Sequence, residues 1–198
     1  MAQKLVLATH NAKKLEEFRD MMAPLGVEVA SAGELGLSEP EETGTTFTEN
    51  ALLKARAAAI ESGLPSLADD SGLCVRSLGD APGIYSARYA INPATNRRDF
   101  DYGMEKLWQE LTSHSDKSAA FVCVLAYVTP DAQEHIFEGR AEGQIIWPPQ
   151  GEKGFGYDPI FTPLGKDQTF AEISAAEKQS LSHRGKAFDL FLEWFRTA

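Results

Sequence analysis

Asp69 and Asp70 stand side by side where a short apolar run, residues 64–68, meets Ser71 and Gly72. Adjacent carboxylates at a strand end repel one another, and a bound cation would relieve that cost. Mg²⁺ suits such a place, because it takes one or two carboxylates and fills its other positions with water and phosphate oxygens. An ordinary turn is the rival reading of Asp69-Asp70-Ser71-Gly72. A second acidic pair, Glu41 and Glu42, precedes Thr43-Gly44 and reads first as a solvated turn. Glu49 and Glu177 fit helix caps better than catalysis, since each stands three residues after a Thr or Ser.

The cations are also oddly placed. A helix N-terminus carries about half a positive charge and favours acids. Two expected helices open on cations instead: one begins Asn11-Ala12-Lys13-Lys14, and the last begins Ser182-His183-Arg184. Each such cation costs about a few tenths of a kcal/mol. A bound anion reverses the sign, because free amides and lysines then converge on phosphate. The segment Thr9-His10-Asn11-Ala12-Lys13-Lys14 lacks the glycines of a Walker loop or a dinucleotide fingerprint. Phosphate there would be held by Thr9 and Asn11, by backbone amides and by lysine. Exposed, ligand-free cations are the alternative for both helices. The loop at 151–161, GEKGFGYDPIF, sets glycines around two aromatics and an acid. Glycine lets backbone approach a ligand closely. Phe155 or Tyr157 could stack on a flat base, and Asp158 is held extended by Pro159. A tight packed turn explains the same loop without a ligand.

These residues need elements to hold them. Residues 4–9 read as a buried strand, followed by a helix with Leu15, Phe18, Met22 and Leu25 at helical spacing, ended by Pro24 and Gly26. Residues 27–30 suit a second strand. Thr46 and Glu49 form a capping box ahead of an alanine-rich helix over 47–62, stopped by Gly63. Strands are expected over 64–68 and 73–78, with a turn over 79–83. Helical periodicity runs over 97–111. Residues 119–128 form a long strand apolar on both faces, hence central in a sheet. One or two strands follow over 134–146, and 147–165 is a structured loop. Ser174 and Glu177 suggest a second capping box, and Ser182 caps a helix burying Phe188, Phe191, Leu192 and Phe195. Strands alternating with helices predict an α/β domain around a mixed sheet.

The bulk numbers narrow the class. A chain of 198 residues supports one core. No apolar run reaches the roughly 18 residues of a membrane span, and the N-terminus does not read as a secretory signal. Cys74 and Cys123 sit in apolar runs without metal spacing, which fits a reducing cytosol. A net charge of -10 argues against wrapping duplex nucleic acid, yet a few local cations can still oppose it for a phosphorylated small molecule.

Together the motifs resemble the inosine triphosphate pyrophosphatase family, also called HAM1-like, with the bacterial members the closest in shape. The matching segments are Ala8 to Lys14 (ATHNAKK), Glu42 to Ala51 (ETGTTFTENA), Ala68 to Leu73 (ADDSGL), Pro82 to Tyr89 (PGIYSARY), Gly154 to Phe161 (GFGYDPIF), Glu177-Lys178, and Ser182 to Gly185 (SHRG). They run in family order over nearly the whole chain. The resemblance implies an α/β fold with an elongated mixed sheet flanked by helices, in two lobes with a cleft between them, as one domain over 1–198. It implies a cytosolic homodimer that cleaves non-standard purine triphosphates (dITP, ITP, XTP) to monophosphate and pyrophosphate with Mg²⁺, acting on neither nucleic acid nor membrane.

Residue by residue, Thr9, Asn11 and Lys14 match the phosphate loop, with His10, Ala12 and Lys13 beside them, and Lys54 matches a further phosphate contact. Asp70 matches the catalytic base, flanked by Asp69 and Ser71. Glu42 matches a metal ligand, with Asp70, Asp69 and Glu41 as further candidates. Phe155, Gly156, Tyr157, Asp158, Lys178, His183 and Arg184 match the base-recognition groups. His10 stands where relatives often carry glycine. Hypoxanthine and xanthine present a 6-oxo acceptor where adenine presents an amino donor, so donors from His183 and Arg184 would select them. Rival readings are a non-catalytic nucleotide sensor, a septum-formation type nucleotide pyrophosphatase, and a phosphomonoesterase.

Overall fold

A computed structural model describes residues 4–10 and 12–197. Strand β1 (Lys4–Leu7) leads to helix α1 (Ala12–Met22). Leu15, Phe18 and Met22 are buried at the expected spacing, and a 3-10 turn, Ala23–Leu25, ends the helix at a left-handed Gly26. Strand β2 (Glu28–Ser31) runs into α2 (Ala32–Leu35). Ser31 and Glu34 close a full capping box there. Helix α3 (Phe47–Ser62) starts on the Thr46–Glu49 capping box and stops at Gly63, as expected. Its buried stripe is alanine (Ala51, Ala55, Ala58, Ala59), which lets the helix axis lie close to its neighbours.

Strand β3 (Ser66–Val75) corrects the sequence reading. It is one ten-residue strand, and Asp69 and Asp70 lie within it rather than at an end or in a turn. A 3-10 segment, Arg76–Leu78, takes the place of the expected second strand's end. After Gly83–Tyr85, α4 (Ser86–Tyr89) precedes the short pair β4 (Ile91–Asn92) and β5 (Arg97–Arg98). Helix α5 (Phe100–Leu111) therefore starts later than its periodicity suggested, at the Asp99 cap. Strands β6 (Ser118–Val128) and β7 (Glu134–Ile145) follow. The expected loop over 147–165 contains a 3-10 turn, Asp158–Ile160, and strand β8 (Phe161–Pro163). Helices α6 (Ala175–Leu181) and α7 (His183–Phe195) complete the chain.

The main sheet has six strands in the order β2-β1-β3-β6-β7-β8. β1 is parallel to β2 and β3, while β8 is antiparallel to β7, so the sheet is mixed. The central strand β6 is buried along nearly its whole length, as its apolar sequence required. The chain divides into two compact units, 1–70 with 124–137 and 71–123 with 138–198. The first packs Ala51, Ala55 and Ala59 against Ala68, Val124, Ala126 and Val128. The second holds an aromatic centre, with Phe121 4.7 Å from Phe161 and 6.0 Å from Phe170 between ring centroids. Leu192 and Phe195 of α7 are only partly buried, whereas Phe188 and Phe191 are fully so.

In the second unit, Ser86 ties three segments together. Its Oγ accepts from Leu73 N at 2.8 Å and donates to Gly83 O at 2.6 Å, while its carbonyl accepts from Tyr157 OH at 2.9 Å. Gly72 leaves room for this: a Cβ there would stand 2.1 Å from Gly83 O. Ser86→Ala strands the buried Leu73 N–H without an acceptor. It should lower unfolding free energy by about 1–3 kcal/mol, read as a reduced urea midpoint at unchanged slope.

Candidate active site

Two clusters of the expected residues form, one in each unit. In the first, the strand pleat turns Asp69 and Asp70 to opposite faces of β3. Each meets a lysine from a different helix. Lys14 of α1 bonds both Asp69 oxygens at 2.8 Å. Lys54 of α3 bonds Glu42 Oε1 at 2.7 Å and lies 3.8 Å from Asp70 Oδ1. Asn50, one helical turn before Lys54 and on the same face, is buried and accepts from Gly44 N at 2.8 Å.

Burial is the main cause that pushes Asp70 up to about 6. Lys54 and the nearby Asn50 amide pull it down, while Glu42 and Asp69 push it further up. Burial alone would lower the Lys54 pKa, but the charges of Asp69 and Asp70, with Glu42, outweigh it and leave it raised. One ammonium thus answers several carboxylates.

The donor set here is all oxygen. Among the described residues, no three or more His, Cys, Asp and Glu side chains gather to hold a metal by themselves. Glu42 and Asp70, on either side of one ammonium, supply the two carboxylates that a hard divalent cation accepts alongside water and phosphate oxygens. The chemistry of the site therefore fits Mg²⁺. Glu41 is exposed, so the structure brings Glu42, not Glu41, to the lysine. The solvated-turn reading holds for Glu41 and fails for Glu42. Asp69 is already engaged on both oxygens by Lys14.

The phosphate-loop residues are partly described. Thr9 is half-buried, with its carbonyl accepting from Gly33 N at 3.3 Å. His10 is exposed, its Nε2 3.2 Å from Leu37 O and its Nδ1 3.8 Å from Glu39, so its ring leans on the 37–39 segment. Asn11 lies outside the described residues, as do the side chains of Ala12 and Lys13.

In the second unit, Phe155 is 55% exposed. Lys178 Nζ lies 5.0 Å and Arg184 Cζ 5.7 Å from its ring centroid. Asp158 is buried, accepts from Phe155 N at 2.7 Å and pairs with Lys178. Asp158 is not extended, as Pro159 suggested; it opens a 3-10 turn and closes the loop onto Phe155. Gly154 permits this at φ 75, where a Cβ would meet Asp158 Oδ2 at 2.2 Å. Tyr157 is a correction: it is 2% exposed, packs edge-on to Phe100 and bonds Ser86, so only Phe155 offers a stacking face. Gly156, at φ 70, makes the turn between them. His183 is buried with its ring stacked 4.9 Å from Phe121. Arg184 is buried, with Nη2 3.5 Å from Ser71 Oγ.

Ser182 caps α7 through Gly185 N, as expected, and neither α1 nor α7 has an acid in its first turn. The second capping box is only half formed. Ser174 accepts from Glu177 N, but the Glu177 carboxylate pairs with Lys166. Sequence reasoning missed Asn50 and Gly44. A buried polar residue in an alanine stripe was the available signal.

The sequence model of the Ham1 family matches residues 5–194. The dITP/XTP pyrophosphatase of Zymomonas mobilis is 52% identical over 192 residues, covering 96% of this chain and 90% of that one. The dITP/XTP pyrophosphatase of Rhizobium meliloti is 49% identical over 202 residues, covering 96% and 94%. A HAM1 protein from Coxiella burnetii superposes with a TM-score of 0.92 at 39% identity, covering 99% and 100%. The Staphylococcus aureus Ham1 protein does so at 0.89 and 37%, covering 98% and 99%.

The raised pKa of Asp70 sets a pH signature for the metal-free protein. The folded state holds this proton more tightly than the unfolded state does, between about pH 4 and 6. The Asp70 contribution to stability is therefore full below about pH 4 and lost as pH rises through about 6. Two pKa units correspond to roughly 3 kcal/mol. Asp70→Asn should then raise the Tm of the metal-free protein at pH 7 but not at pH 4. Added Mg²⁺ should raise the wild-type Tm more than the variant's. Calorimetry in chelator and in Mg²⁺ checks both.

Proposed function

Because the chain belongs to the Ham1 family, we propose that it is a pyrophosphohydrolase of dITP, ITP and XTP that clears these bases from the nucleotide pool. The observation that carries the reading is Asp70, buried and raised to about 6 beside the ammonium of Lys54 and the carboxylate of Glu42. Such a carboxylate is ionised at neutral pH yet is a stronger base than an exposed aspartate.

Asp70 orients a water and takes its proton onto a carboxylate oxygen. The water oxygen attacks the α-phosphorus, the bond to the bridging oxygen breaks, and pyrophosphate leaves with the nucleoside monophosphate as the other product. Glu42 and Asp70 would hold Mg²⁺, which when bound supplies positive charge to the phosphate oxygens and the leaving group. Lys14 and Lys54 exchange their carboxylates for phosphate oxygens as the nucleotide enters. A carboxylate is a weak base, so most of the rate comes from positioning and from fixed charge.

In the second unit, Phe155 gives the base a face, and the Arg184 guanidinium, which can only donate, gives the 6-oxo group a partner. Adenine would leave that buried donor unpaired, which disfavours it by roughly four orders of magnitude. The same family likeness carries a cytosolic homodimer. Sedimentation as a monomer would remove the dimer.

Purified protein with Mg²⁺ should release pyrophosphate, not orthophosphate, from dITP, ITP and XTP, and turn ATP over at least about a thousandfold less efficiently. Orthophosphate as the first product would end the mechanism, and equal turnover of ATP would end the base selection. Asp70→Asn should lower kcat by about 10³-fold while nucleotide binding persists. Phe155→Ala, on an exposed ring, should raise KM about tenfold without moving Tm.

A further inference from the structure

We propose that Gly139 and Gly185 are specificity-determining positioning residues: both lack a side chain so that the first turn of α7 can be clamped between β7 and α6, and the clamp sets where His183 and Arg184 stand beside the Phe155 ring. The proposal rests on the base-selection reading above. Residues 137, 139 and 141 of β7 are buried while 138 and 140 are exposed, so one inward row reads Phe137, Gly139, Ala141. Glycine weakens a strand and marks a place where another backbone comes close. That backbone is α7. A Cβ on Gly139 would stand 2.1 Å from His183 O and 2.5 Å from Ala187 N. These two groups are four residues apart, the spacing of a helical hydrogen bond, so β7 lies directly against the first turn. Lys186 adds a tie, its Nζ donating to Arg140 O at 2.8 Å.

The second contact comes from α6. Glycine is a poor helix former, yet Gly185 stands in the first turn of α7. A Cβ on it would be 1.8 Å from Gln179 O. Ser182 links the same two helices: its N donates to Lys178 O at 2.8 Å, and its Oγ accepts from Gly185 N at 3.0 Å. Lys178 of α6 and Arg184 of α7 both lie beside the Phe155 ring. Lys178 also pairs with Asp158, which grips the Phe155 amide. The His183 ring lies nearly parallel to Phe121, at 12°. The groups around the exposed ring thus take their placement from two close backbone contacts. Carbon in contact stands about 3.5 Å away, so an alanine at 139 would part strand and helix by more than about 1 Å. A misplacement of about 1 Å can cost roughly a hundredfold in rate.

Gly139→Ala and Gly185→Ala test the clamp from its two sides. Leu111→Ala, a buried residue at the other end of α5 from Phe100, controls for lost stability. With Mg²⁺, each glycine variant should lower kcat/KM for dITP by about 30-fold, mainly through KM, and for dATP by less than about threefold, so the preference for dITP narrows about tenfold. Leu111→Ala should lower Tm and keep the preference. In the nucleotide-free protein, the His183 ring protons, shifted upfield by the Phe121 face, should lose most of that displacement in both glycine variants and keep it in Leu111→Ala. An unchanged dITP preference in Gly139→Ala would overturn the proposal, and so would equal losses on dITP and dATP. If neither glycine variant folds, Lys186→Met, which removes the exposed tie and adds no bulk, should narrow the preference about threefold; no change there removes the clamp. If the wild-type protein shows no preference or cleaves neither nucleotide, the base-selection reading fails, and the His183 resonances decide alone: moved signals support the clamp and unmoved signals end it.

Discussion

Two carboxylates adjacent in a buried strand are the constraint on which the first unit is built. Asp69 is 4% exposed and Asp70 8%. Charges that far from water are tolerated only when paired and hydrogen-bonded. The pleat separates the two side chains, and each then needs its own source of positive charge. Lys14 comes from α1 and Lys54 from α3, so both helices are tied to β3 by charge as well as by packing. Glu42 completes the set by pairing with the same Lys54 that lies beside Asp70. Two ammonium groups then stand against three carboxylates, so the cluster keeps an excess of negative charge.

The second unit solves a different problem, which is to present a flat ring to solvent and still hold it still. Phe155 sits on a glycine-rich turn with little packing of its own. Its amide is gripped by Asp158, and Asp158 is in turn neutralised by Lys178. Lys178 and Arg184 both lie beside the ring, whose face attracts cations. Arg184 and His183 are held by α7, which packs tightly on β7. A Cβ at Gly139 would stand 2.1 Å from His183 O. Side chains placed by a helix against a sheet are stiffer than side chains on a loop.

Much of this was legible in the sequence where the signal was local. The Thr46–Glu49 box, the Gly63 stop and the alanine run give α3 its bounds within a residue. The apolar run of β6 gives its central place. The Asp69–Gly72 segment was read as a strand end or a turn because aspartate and glycine are poor strand residues. What overrides that preference is distant: lysines from two helices, and the Gly83 carbonyl that needs Gly72 bare. Between Glu41 and Glu42 the residues alone gave no choice and the family resemblance favoured Glu42; in the fold Lys54 reaches Glu42. Strand β8 was lost because three residues carry no periodicity; it exists through pairing with β7. Tyr157 and Phe155 look alike as aromatics in one loop, and only the Ser86 carbonyl and Phe100 ring tell which is buried.

The breach of the helix-dipole rule at two N-termini resolves in two ways. Both α1 and α7 lack an acid in the first turn. In α1 the oddity is answered inside the fold: Lys14 points to Asp69, so its charge is spent on a strand that would otherwise be unstable. In α7 the cation meets a different setting. Arg184 is buried beside an exposed aromatic ring, with a serine hydroxyl at 3.5 Å. The two helices thus divide the work by the charge they meet. One cation stands against a buried carboxylate of the first unit, and the other against an aromatic face of the second.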